Sequence, residues 1–64
     1  MPEYEVLILD KHANPAAFIE TQQLDDADAI RSATVMANGR PFEVWRDITC
    51  VHRVRPEKIG SRAA

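Results

Sequence analysis

The sequence predicts a small α+β domain of order ββαββ: a four-stranded antiparallel sheet, strand order 2-1-3-4, with one helix packed on one face. Three observations predict it. Residues 24–41 (LDDADAIRSATVMANGRP) carry both ends of a helix and a helical repeat between them, two stretches with strand alternation precede this segment, and two more follow it. The 64 residues allow one domain, here residues 1–56, of a size at which a single core supplies only roughly 3–5 kcal/mol.

Tyr4 to Asp10 (YEVLILD) reads as the first strand, with Tyr4, Val6 and Ile8 on one face and Glu5, Leu7 and Leu9 on the other. From Val6 to Leu9 both faces are apolar, which suits a central strand rather than an edge. Asp10 and Asn14 can bond to nearby backbone and Pro15 disfavours helix before it, so residues 10–15 read as a hairpin loop. Ala16 to Gln23 returns as a more polar edge strand with Phe18 and Ile19 on opposite faces.

The helix is predicted from Asp26 to Asn38. Asp25 is the N-cap, Asp28 its short capping-box partner, and Asp26 adds negative charge at the positive end of the dipole. Asn38-Gly39 supplies the left-handed stop, and Pro41 has no amide hydrogen with which to continue. Ile30, Ala33 and Ala37 share a face, flanked by Ala29 and Met36; Val35 falls out of phase and reads as an isolated exposed apolar residue. A stripe of alanines lets a helix lie close to a flat sheet.

Phe42 to Arg46 is the third strand, Phe42 and Val44 alternating with Glu43 and Trp45. Thr49 to Arg55 is its hairpin mate, with Cys50, His52 and Val54 opposite in phase to Thr49, Val51, Arg53 and Arg55. The turn at Arg46-Asp47-Ile48 lacks glycine and asparagine, so its type is not readable. A right-handed crossover through the helix places the third strand beside the first and makes the first central. Residues 57–64 are small and polar and are predicted to fray as a C-terminal tail.

Cys50 is the single cysteine, which fits a reducing compartment; no apolar run approaches bilayer length and the N-terminus does not resemble a signal peptide, so a cytoplasmic protein is predicted. The formal net charge of −2 is unevenly spread. Residues 1–39 hold two cations against seven acids, while residues 40–64 hold six cations against three acids. Such asymmetry marks a binding end or complementary surfaces.

The opening MPEYEVLILD, the DDADAI at the helix start and NGRPFEVW leading into the third strand resemble a group of short uncharacterised alphaproteobacterial proteins. In that group a Tyr-initiated strand precedes an acidic, alanine-containing helix start, then a glycine and a Val-Glu-Leu-Trp-like strand. The resemblance covers most of residues 1–52 and implies no activity. Arg46-Asp47-Ile48 departs from the glycine expected there.

Cys50 and His52, two apart on a strand, are expected to share a face, and with His12 they form the only candidate for a soft metal site. Without a second close cysteine the reading preferred is a half-buried cysteine and a rim histidine. A nucleophile pair would need an orienting group and an anion-binding nest, and neither is legible. Asp25, Asp26 and Asp28 lack the glycine and distal glutamate of a calcium loop and read as caps. No catalytic residue, cofactor, metal, small-molecule substrate or membrane contact is predicted.

The predicted function is therefore association. One helix shields one sheet face, which leaves Leu7, Leu9, Trp45 and Val51 on the other as the expected interface of a homodimer or of a docking site for another protein. The second reading is a nucleic-acid-binding or regulatory module using Arg53, Arg55, Lys58 and Arg62. Against it, aromatic residues do not interleave with these cations and the chain is acidic overall.

Overall fold

A computed structural model describes residues 1–56. It contains β1 (Glu3–Leu9), β2 (Pro15–Gln22), α1 (Asp26–Ala37), β3 (Phe42–Arg46) and β4 (Thr49–Val54). The strands form one sheet in the order β2-β1-β3-β4, every neighbouring pair antiparallel, as the sequence predicts. The predicted tail, with Lys58 and Arg62, lies outside the described residues. Among the described residues no helix is long and apolar enough to cross a membrane.

The core is the helix-facing side of the sheet. Tyr4, Val6 and Ile8 of β1 and Phe42 and Val44 of β3 are buried against Ala29, Ala33 and Ala37 of α1. These alanines recur every fourth residue and form the centre of the helix contact, so the stripe is rotated slightly from the sequence reading: Ile30 is flanking, not central. The reason is steric. Methyl groups let the helix axis settle close to β1 and β3, while the longer Ile30 and Met36 fill the diverging rims.

Both helix ends are closed by the expected residues. Asp25 has extended backbone and its side chain accepts from the amide of Asp28 at 2.9 Å. At the other end α1 stops at Ala37, one residue earlier than predicted, because Asn38 itself turns left-handed (φ 54°, ψ 49°) and Gly39 follows at φ 88°. Arg40 folds back so that its Nε donates to the Ala37 carbonyl at 2.8 Å, a cation on the negative end of the helix dipole.

Two bulges set which residues reach which face. In β2, Ile8 pairs with Ala17 while Leu9 pairs with Pro15, so Ala16 is the extra residue. In β4, Trp45 pairs with Cys50 while Val44 pairs with His52, so Val51 is inserted. The β3–β4 turn is a two-residue loop with φ 59° at Asp47, the left-handed position that glycine would fill without strain. In the β1–β2 loop Ala13 is also left-handed, at φ 67°, while the Asp10 carboxylate accepts from the amides of His12 at 2.8 Å and Asn14 at 2.9 Å. Those donors, Asn14 foremost, hold the Asp10 carboxyl below its ordinary pKa.

Candidate docking face

The sheet side opposite α1 carries the side chains that the core does not use. Directly opposed residues share a face, so the register reads as rows across the sheet. One row runs Phe18, Leu7, Glu43, Arg53; the next runs Glu20, Glu5, Trp45, Cys50; at the margin Gln22 faces Glu3. The first two rows place an apolar centre of Phe18, Leu7 and Trp45 beside a band of carboxylates.

Within the centre, Glu43 is a bridge. Its Oε1 accepts from the Trp45 indole N–H at 2.9 Å and its Oε2 receives the Arg53 Nε at 3.1 Å. The guanidinium is thereby committed to a carboxylate on the neighbouring strand, and the indole is tied along β3 and left half-buried. Phe18 has no such cover: it is 59% exposed, although it sits directly across from Leu7. Alternation in β2 placed Phe18 opposite Ile19, but a polar-looking edge strand gave no sign that it would complete this patch.

Four carboxylates collect at one end. Glu5 and Glu20 are directly opposed across β1 and β2, Glu3 lies two residues earlier on the same face of β1, and Asp47 in the β3–β4 turn joins Glu3 and Glu5 around an open concavity. Among the described residues none of the four is in an ion pair; the ion pairs there are Arg31 with Asp28, Arg46 with Asp26 and Arg53 with Glu43. Like charges directly opposed across strands oppose folding, so this end of the sheet carries a standing repulsion.

Of the residues expected on this face, Leu9 is covered and Val51 is turned to the helix side. Leu9 is only 8% exposed: it lies at the end of β1, paired with Pro15, and its amide donates to the Pro41 carbonyl at 2.8 Å. It is already covered within the chain. Val51 packs against the helix-side core because the bulge sets both Val51 and His52 opposite Val44. The same bulge separates Cys50, opposite Trp45, from His52, whose ring lies 5.7 Å from that of Phe42 on the helix side. Cys50 and His52 therefore do not share a face. Leu7 and Trp45 are on the outer face as expected, both half-buried.

Of the basic residues considered for phosphate contact, Arg53 is engaged by Glu43, and Arg55 is exposed just beyond β4. Arg46, on the helix side, is paired with Asp26. Comparison of the chain with protein-family models, curated proteins and solved structures returns no match.

Proposed function

We propose that the protein is a protein–protein association module that buries its helix-free sheet face against another polypeptide. The observation that carries this reading is the row Phe18–Leu7 beside Trp45: an exposed phenyl ring, a half-buried leucine and a half-buried indole contiguous on three neighbouring strands. Covering such a patch removes apolar area from water at about 25 cal/mol per Å², and a few aromatic anchors commonly dominate binding energy.

The test is affinity capture from the native host with the parent chain, Phe18→Lys/Trp45→Lys and Val35→Lys, a residue 78% exposed on the helix. A partner retained by Val35→Lys and lost by the double variant, with unchanged circular dichroism in each, supports the reading. Identical partners on all three chains would overturn it.

A further inference from the structure

Building on the association reading, we infer that the occupant of this face is a cationic polypeptide segment that presents lysine or arginine and apolar residues on one side, rather than a second copy of the chain. The argument begins with the directly opposed pair Glu5 and Glu20. Opposed carboxylates repel, and nothing among the described residues neutralises them. Glu3 and Asp47 stand beside Glu5, so the repulsion is extended along the whole end of the face. A cation placed between Glu5 and Glu20 answers both carboxylates at once, and Trp45, adjacent to Glu5 across β1 and β3, offers it an indole.

The apolar centre sets the spacing of such a partner. Phe18 and Leu7 lie two residues along β2 and β1 from Glu20 and Glu5, so charged and apolar features are adjacent on one surface. Successive side chains of an extended segment point to opposite sides, so a segment that meets both features carries a cation and an apolar residue two positions apart, on the same side. A second copy fits less well. Face-to-face pairing brings Glu3, Glu5, Glu20 and Asp47 into an interface with an identical set, and Arg53, the guanidinium in these rows, is already held by Glu43. Like-charge juxtaposition across an interface selects against that partner.

The test uses two short synthetic peptides, one repeating lysine-serine-valine-serine and one repeating glutamate-serine-valine-serine, so that charge and valine fall on one side, titrated into the intact chain. Trp45, the chain's single tryptophan, reports binding by fluorescence, and light scattering at tens of micromolar reports self-association. The expected result is a monomer whose emission shifts with the lysine peptide alone. Binding weakens about tenfold from low to physiological salt, and about tenfold or more in Glu5→Lys/Glu20→Lys. Glu20→Lys by itself raises the melting temperature, since it replaces an opposed like-charge pair with an opposite-charge one. Equal response to both peptides, or to neither, overturns the inference. So does a parent that is already dimeric with quencher-protected Trp45, which would make the occupant a second copy while leaving the association reading intact. Identical capture by the Phe18→Lys/Trp45→Lys chain would instead remove the association reading itself.

Discussion

The hydroxyl of Tyr4 donates a hydrogen bond to Oδ1 of Asp26 at 2.6 Å, joining the second residue of β1 to the first residue of α1. Arg46, the last residue of β3, pairs with the same oxygen. One carboxylate thus fastens the helix start to both central strands, and it does so from the acidic cluster that also caps the helix. The Tyr4 bond, followed by Arg46, holds the Asp26 carboxyl below its ordinary pKa, while the same bond raises the Tyr4 phenol above its own.

These shifts have opposite pH signatures. Asp26 is depressed in the folded state, so its contribution is complete above the unfolded value of about 4 and is lost as pH falls through the folded one. Asp10 adds to the same acid limb. Tyr4 is raised, so its contribution is complete below about 10 and disappears as pH climbs through the folded value. Thermal melts across pH should therefore show an acid limb that Asp26→Asn makes shallower, and Tyr4→Phe should melt below the parent at neutral pH. An unchanged acid limb in Asp26→Asn would detach this network from stability.

Gly39→Ala is expected to cost about 1 kcal/mol in urea unfolding. A Cβ there meets nothing within 4 Å, so the whole effect comes from holding an L-residue at φ 88°. A variant as stable as the parent would show that the chain can leave the helix by another route.

The reverse substitutions are expected to stabilise. Ala13 and Asp47 hold left-handed backbone without glycine, so Ala13→Gly and Asp47→Gly relieve strain of roughly 1 kcal/mol, partly offset by the greater entropy of the unfolded chain. Higher melting temperatures in both would confirm the turn geometry. Lower ones would contradict it.

Neighbouring positions in β2 should respond very differently to one change. Phe18→Lys on the outer face is expected to alter stability by about 0.5 kcal/mol or less, whereas Ile19→Lys, which sends an amine toward the core, should cost several-fold more. Ala33→Leu should destabilise by about 1–3 kcal/mol, because Ala33 is fully buried beneath the helix and a longer side chain lifts α1 from the sheet. Denaturant midpoints of the three variants give the comparison directly.

With Arg53 committed to Glu43 and an acidic band on the same face, no mobility shift of duplex or single-stranded DNA is expected at low salt. A shift that weakens steeply with salt would restore phosphate binding to the basic strand.

Strand order, helix start and helix-side core were legible because each rests on a local period: Tyr4, Val6 and Ile8 alternate, Asp25 precedes a helical repeat, and Pro41 ends it. The outer face was less legible. Leu9 is covered at the end of its strand, which alternation alone does not reveal, and a bulge at Val51 leaves no mark in a run as regular as TCVHRV. Phe18 was missed as a face residue because its exposure depends on the strand across from it, and the opposed pair Glu5 and Glu20 depends on hairpin register in the same way.

The inserted residue in β4 also makes that strand tolerant to shortening. Val51 and His52 stand together opposite Val44, so loss of either one lets the other take the regular position while Arg53 stays outward and Val54 stays toward the helix. An uninterrupted strand of the same length would instead set Arg53 against Phe42, delivering a cation to the core. Single-codon deletions at these two positions would thus preserve the orientation of everything that follows, whereas the regular stretch Glu5–Ile8 of β1 has no such slack and must invert its faces when one residue is removed.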